Sequence, residues 1–350
     1  MLRKLSISDF EDSKFGSNSE VLFTFAEDNI AYMYFGNTPV QVDYNTALYI
    51  LHQKDSMPQG NSWPEDFPAI INHTSTTAAR KHPAFEAAKK GDFEAALSLV
   101  NDMVKDEKVH HIVQTYPNAH IIYNHRMKGD GINMIPAAYA AMFEAAGMQV
   151  EHNVVGITNV SHTGASDISR ICKRMRYEGN INQGTDYILL DDFITSGAEL
   201  RDLRDYVESK GGHVVLISTL GHGSYSKLSD IRIDIKYKEK LLNLGITDKE
   251  LQKYGIASKV DCLTLGEAAK LSRVVECQTK KQFTSNRSGV QHLDQRKRDS
   301  QTMGREIPES GTVCKSESSS KVHEEQSVTV MSRQTNTSQN KKIIMKEIFY

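Results

Sequence analysis

The chain has 350 residues, 39% of them apolar, and a formal net charge of −2 at pH 7. That suits one sizeable core with appendages, and so balanced a charge excludes a global field drawing in nucleic acid or an anionic membrane. No apolar run approaches the ~18 residues that span a bilayer, and the N-terminal MLRKLSISDFEDSKF lacks an apolar signal stretch. The four cysteines, Cys172, Cys262, Cys277 and Cys314, show no metal-ligand or redox spacing and read as free thiols in a reducing compartment. A cytoplasmic protein with no membrane and no nucleic-acid partner is expected.

Residues 1–68 read as a small β-rich region of unassigned role. Its strand-like runs are VLFTFA from Val21, IAYMYF from Ile30 and PVQVDY from Pro39, with a turn at Gly36-Asn37. SMPQGNSWPEDFP, from Ser56, reads as a linker. Residues 69–276 alternate helix and strand. A helical stretch runs from Pro83 through Val104, followed by a strand AHIIY from Ala119 and a loop NHRMKGDGIN. A helix MIPAAYAAMFEAAG precedes a strand around Val150–Ile157 and a polar segment, Thr158–Asp186. The strand YILL from Tyr187 leads through DDFITSGAEL to the helix LRDLRDYVESKGG and the strand HVVLISTL from His213. Small helices fill about 235–276. Short apolar strands alternating with helices predict an α/β fold, a mostly parallel sheet with helices on both faces. Residues 277–350 are poor in aromatics and read as a disordered polar tail. From Gln278 on, thirteen Lys/Arg against eight Asp/Glu make it mildly basic, and Arg296-Lys297-Arg298 reads as solvated linker charge, with contact of this basic tail to DNA as a weaker alternative.

YILLDDFITSGAEL carries the most chemistry. Ligands of open parallel sheets bind beyond the carboxyl ends of strands, where Asp191 and Asp192 stand. Thr195, Ser196, Gly197 and Ala198 then turn the chain into a helix, whose unpaired N–H groups and positive dipole end suit a phosphate. The two acids can accept hydrogen bonds from ribose hydroxyls or orient a hydrated Mg²⁺ through water. Acids and hydroxyls favour helix starts for structural reasons too. The whole run is more specific than strand-Asp-Asp alone.

This run resembles the signature of the type I phosphoribosyltransferases: an apolar strand, two acids, two mostly apolar residues, then Thr-Thr-Gly-Ala-Thr. Glu199 departs from it, placing a carboxylate where the family has a hydroxyl for the 5-phosphate. The stretches HPAFEAAKKGDFEAALSLV, MIPAAYAAMFEAAGM, SHTGASD and GGHVVLISTL resemble phosphoribosyltransferase-like proteins often encoded on bacterial mobile elements; with the motif the likeness covers about 60% of the chain. The resemblance implies a ligand, phosphoribosyl pyrophosphate with Mg²⁺, and transfer of its phosphoribosyl group to a small nitrogen nucleophile such as a nucleobase. Asp191 and Asp192 would hold the ribose as the catalytic pair, and Thr195–Glu199 would bound the phosphate site. The NHRMKGDGIN loop would serve pyrophosphate through Arg126, Lys128 and Gly129, with Gly131 adding freedom. Ser161–Gly179 would match the family's flexible loop, with His162, Thr163, Gly164, Arg170, Lys173 and Arg174 as candidates beside the simpler reading of an exposed helix. The resemblance also implies a hood, about 235–276, and a homodimer as one option. The alternative is a regulatory protein of a mobile element that binds phosphoribosyl pyrophosphate or a nucleotide without turnover.

His110-His111 and the other histidines lack ligand spacing. Arg201, Arg204, Glu208 and Lys210 read as the solvated face of LRDLRDYVESK.

Overall fold

A computed structural model describes residues 3–4, 23–26, 30–53, 60–125, 127–128, 131–157, 166–223 and 230–280. An N-terminal antiparallel sheet orders β1 (Arg3–Lys4), β2 (Thr24–Ala26), β3 (Ile30–Phe35) and β4 (Thr38–Asp43). Alternation drives it: Ala31, Met33 and Phe35 face inward from β3, and Val40 and Val42 from β4. Asp43 ends β4 and caps α1 (Tyr44–Gln53), its Oδ1 accepting from the Thr46 N–H at 2.9 Å. The sequence reading places no helix here: Asp43 offers a cap, but Tyr44, Thr46, Tyr49 and Ile50 are residue types that favour strands.

The rest runs β5 (Ile71–Ser75), α2 (Thr76–Ala79), α3 (Phe85–Lys89), α4 (Phe93–Met103), α5 (Asp106–Thr115), β6 (His120–Tyr123), the hairpin of β7 (Met127–Lys128) and β8 (Gly131–Ile132), and α6 (Ile135–Ala145). Next come β9 (Val150–Glu151), β10 (Val155–Gly156), α7 (Asp167–Cys172), β11 (Tyr177–Glu178), β12 (Asp186–Ile194), α8 (Ala198–Ser209), β13 (His213–His222), α9 (Ile235–Asn243) and α10 (Asp248–Lys253). Residues 265–280 are helical. The main sheet has five strands in the order β5-β13-β12-β6-β9, and every neighbouring pair is parallel.

Helices cover both faces of this sheet. Ile188 and Leu190 of β12 pack with Ile121, Leu216 and Leu220 against Leu99, Ala138 and Tyr139. Tyr187 and Leu189, pointing the other way, pack with Ile122 and Ile217 against Leu200, Leu203 and Val207 of α8. A strand buried on both faces reads as a continuous apolar run, and each fully buried Leu or Ile side chain contributes about 1.5–3 kcal/mol. The N-terminal sheet packs into one further core with Ile168 and Ile171 of α7 and with Leu241, Leu251, Leu263 and Leu271. Tyr254 fastens this core to β3: its hydroxyl accepts from the Tyr34 N–H at 2.7 Å and donates to the Tyr34 carbonyl at 3.0 Å.

Several elements differ from the sequence reading. The single helix expected over 83–104 is two, because Gly91 takes φ +103° after α3 and Asp92 caps α4, accepting from the Ala95 N–H at 3.0 Å. The strand expected around Val150–Ile157 is split: β9 lies in the main sheet, whereas β10 pairs antiparallel with β11. β12 continues past Leu190 to Ile194, so Asp191 and Asp192 stand inside a strand. The segment read as a linker packs on α8 where it is described. There Trp63 and Phe67 are buried, and the Arg204 guanidinium lies 4.2 Å from the centre of the Trp63 ring.

The solvated face expected on α8 holds only at its end. Lys210 is exposed and Glu208 is half-buried, but Arg201 and Arg204 are 1% and 2% exposed. Arg204 donates to Glu208 (2.7 Å) and to the carbonyls of Asn61 and Ser62 (3.0 and 3.2 Å). Arg201 donates to the Ile256 carbonyl at 2.7 Å and pairs with Glu267 at 3.1 Å. A charge is tolerated inside when carboxylates and carbonyls surround it; periodicity alone does not reveal such partners.

Candidate functional site

The carboxyl ends of β6 and β12 open onto a cavity of about 200 Å³. Asp191 and Asp192 line it, as do Thr195, Ser196, Gly197, Ala198 and Glu199, so the whole motif surrounds one hollow. Asp191 and Asp192 are 8% and 7% exposed. Thr195 is exposed, Ser196 and Glu199 are half-buried, and Gly197 and Ala198 are buried.

The two acids differ in environment. The Asp192 carboxylate pairs with the Lys89 ammonium and accepts from Asn133 Nδ2 at 2.6 Å and the Phe193 N–H at 2.6 Å. Burial pushes this carboxyl up, but Lys89 and these hydrogen bonds outweigh it and hold it below the usual carboxylate range. Asp191 accepts from the Asp192 N–H at 2.8 Å and from Asn124 Nδ2 at 3.2 Å. Burial, then the charges of Asp192 and Glu199, push it well above that range. One carboxyl is thus held ionised while its neighbour is biased toward its protonated form.

Glu199 turns into this arrangement. Its Oε2 accepts from Asn124 Nδ2 at 3.1 Å, so one carboxamide bridges Glu199 and Asp191. Tyr177 fixes that carboxamide by donating to Asn124 Oδ1 at 2.9 Å. The departure from the resembled pattern therefore stands in the cavity wall.

Gly197 begins α8 at φ +81°, a conformation that favours glycine. A Cβ there would also press on Thr264, Ile194 and Ile231 at 3.3–3.4 Å. The Ala198 N–H reaches Ser196 Oγ only at 3.5 Å, a weak contact at the helix start.

The second group of expected residues is only partly within the described residues. Arg126 and Gly129 lie outside them, and only the backbone of Lys128 is described, in β7. Gly131 sits in β8 at φ +120°, where a Cβ would come within 2.9 Å of the Lys90 carbonyl. The hairpin thus lies against the end of α3, near Lys89. His162, Thr163, Gly164 and Cys314 lie outside the described residues. Arg170 lines the cavity, and its buried Nε has no hydrogen-bond partner among the described residues. Lys173 pairs instead with Asp43 at 3.7 Å, and Arg174 is buried, donating to Asp202 (2.7 Å) and Asp205 (2.6 Å). His110 and His111 are exposed on α5. Cys172, Cys262 and Cys277 are free thiols.

Sequence reasoning missed Lys89, Asn124, His125, Asn133 and Tyr177. Asn124 and His125 follow β6 directly, so the rule that ligands gather at strand carboxyl ends could have found them. His125 stacks on Tyr123 at 4.9 Å, and burial lowers its pKa. Lys89 has no local signal: a lysine ending a short helix looks like any solvated one.

No family model matches the chain. Protein TraN of Escherichia coli is 30% identical over 215 residues, 59% of this chain and 46% of that protein. An uncharacterized protein of Haemophilus influenzae is 32% identical over 161 residues, 45% of this chain and 36% of that protein. The chain thus spans less than half the length of the curated relatives it matches. Among solved structures, an adenine phosphoribosyltransferase aligns over 51% of this chain and 92% of its own, at 14% identity and a TM-score of 0.26. The Saccharomyces cerevisiae adenine phosphoribosyltransferase aligns over 50% and 89%, at 15% identity and a TM-score of 0.24. Among the described residues no helix is long and apolar enough to cross a membrane.

Proposed function

We propose that this cavity binds phosphoribosyl pyrophosphate and that the protein transfers the phosphoribosyl group to a nitrogen acceptor, in a fold of the type I phosphoribosyltransferase kind. One observation carries the reading: two adjacent buried carboxyls and the start of α8 line a single hollow at the carboxyl edge of a parallel sheet. Asp192, held toward its ionised form by Lys89, accepts hydrogen bonds from ribose hydroxyls, and Asp191, biased toward its protonated form, shares in holding them. The amides of the Thr195–Ala198 turn take the 5-phosphate. The bond from the anomeric carbon to pyrophosphate breaks, its electron pair leaving with the pyrophosphate. The acceptor nitrogen supplies the pair for the new bond and releases its proton to water. Positive charge that builds on the ribose faces the ionised Asp192, and holding both reactants in place removes much of the entropic barrier.

The donor set fits Mg²⁺ held through water. The cavity offers carboxylate oxygens, which suit a hard cation that keeps most of its waters, but Lys89 and Asn133 already occupy Asp192 Oδ2. Among the described residues no group of three or more His, Cys, Asp or Glu side chains could hold a metal directly. Asp191 and Asp192 would hold its hydration shell, and the ion would offset charge on the leaving pyrophosphate.

Glu199 favours a second reading, a regulatory protein that binds the same ligand without turnover, since its carboxylate repels a phosphate at the start of α8. Pyrophosphate release with Mg²⁺ across a panel of nucleobases and amines separates the two. Robust release with one acceptor supports transfer. Saturable binding with no release from any acceptor supports the regulatory reading.

A further inference from the structure

The phosphate turn is held from behind by the start of the last helix. Residues 264–267 read Thr-Leu-Gly-Glu and form a reciprocal cap. Glu267 Oε2 accepts from the Thr264 N–H at 3.0 Å, and Thr264 Oγ1 accepts from the Glu267 N–H at 3.0 Å. That leaves the Thr264 hydroxyl its own proton, which it donates to the Ser196 carbonyl at 2.5 Å. The contact is close along its length. A Cβ on Gly266 would lie 2.6 Å from the Ser196 carbonyl oxygen and 2.7 Å from its Cα. Glu267 is completely buried and pairs with Arg201, whose N–H donates to the Gly197 carbonyl at 2.9 Å, so the two helix starts are also joined one turn along α8.

The consequence lies in the Ser196–Gly197 peptide. In a trans peptide the carbonyl and the following N–H point in opposite directions. With the Ser196 carbonyl drawn toward Thr264, the Gly197 N–H is turned away from the last helix, and Gly197 lines the cavity. We infer that Thr264, 68 residues from Ser196, is the positioning residue of the phosphate turn, aiming the Gly197 N–H at the ligand's 5-phosphate while touching no ligand itself. Without the hydroxyl the peptide is free to rotate, and the anion loses a donor fixed in advance. Gly266 makes the approach possible. This inference rests on the cavity being a phosphoribosyl site.

The test titrates ribose 5-phosphate and, separately, pyrophosphate into the full chain and its variants by calorimetry. Thr264→Val is expected to weaken ribose 5-phosphate binding by about tenfold while pyrophosphate binding stays unchanged. Thr264→Ser restores the hydroxyl and is expected to bind ribose 5-phosphate as wild type does. A loosened fold would weaken both ligands and would not be rescued by serine, and that pattern overturns the inference. So does wild-type affinity in Thr264→Val. If that affinity persists while Asp191→Asn with Asp192→Asn abolishes binding, the phosphoribosyl reading stands and the positioning role alone falls. Should Thr264→Val fail to fold, the amide resonance of Gly197 in the wild type decides. A large downfield shift on adding ribose 5-phosphate supports the inference, and an unmoved resonance at saturation overturns it. A wild type that takes up neither ligand defeats both readings.

Discussion

Lys89 and Asp192 stand 103 residues apart in sequence and form an ion pair in the cavity wall. The pair joins α3 to β12 and, with hydrogen bonds from Asn133 and Phe193, holds the Asp192 carboxyl low against burial, which pushes it up. Lys89→Met leaves that charge buried beside two neutral donors. Urea unfolding at pH 7 is expected to show a loss of about 1–3 kcal/mol. An unchanged midpoint would show that the pair contributes nothing.

The two neighbouring acids should respond to pH with opposite signs. Asp191 has a folded-state pKa above its unfolded one, so its stabilising contribution is present at low pH and lost as pH rises through the raised value. Asp192 is depressed, so its contribution is present above its unfolded pKa and lost as pH falls through the folded one. At pH 8, Asp191→Asn is expected to melt above wild type and Asp192→Asn below it. Melting curves from pH 3 to 8 check this, and a common direction for both variants would contradict it.

His73 supplies a separate pH dependence away from the cavity. Its Nδ1 accepts from the Lys105 N–H at 2.9 Å and its Nε2 meets the Tyr139 hydroxyl at 2.6 Å. Burial, then Lys108 and Lys105, lowers its pKa to about 4. The unfolded chain takes up this proton near the ordinary histidine value and the folded one only near 4, so stability falls as pH drops across that window. The loss should be on the order of 1–3 kcal/mol. His73→Asn is expected to flatten the slope between pH 6.5 and 4, and a slope as steep as wild type would contradict the assignment.

Arg201 and Glu267 form a buried pair whose halves depend on each other. Removing either breaks a buried ion pair, with Arg201 keeping Asp202 at 3.4 Å when Glu267 is lost, and costs up to about 3–5 kcal/mol, whereas removing both together should cost much less than the sum. A double-mutant cycle with Arg201→Met and Glu267→Leu, read by denaturant unfolding, checks the coupling. Strictly additive losses would contradict it.

Glu199 adds a third carboxylate to the cavity lining. Glu199→Gln keeps an acceptor for Asn124 and removes the negative charge. Affinity for phosphoribosyl pyrophosphate is expected to rise by roughly tenfold at low salt and by less at high salt, as screening predicts. Equal affinity in both proteins would show that the carboxylate stands clear of the phosphate.

Much of the site was legible because it is local. Asp191 through Glu199 occupy nine consecutive positions, and all nine line one cavity, although β12 runs four residues further than the apolar run YILL announced. The alternation of apolar runs with helices likewise predicted a parallel sheet. What stayed hidden depends on distant partners. β5 reads INHTS, too polar to announce a strand, and is one because its backbone pairs with β13. Arg201 and Arg204 look solvated until Glu267, Asn61 and Ser62 are brought beside them. Lys89 and Thr264 bond residues 103 and 68 positions away, a relation that no local pattern encodes.

The central claim is tested most directly by calorimetric titration of phosphoribosyl pyrophosphate with Mg²⁺ into the wild type and into Asp191→Asn with Asp192→Asn. The account predicts saturable one-site binding in the wild type and no measurable heat of binding in the double variant. Equal affinity in both, or none in a folded wild type, would contradict it.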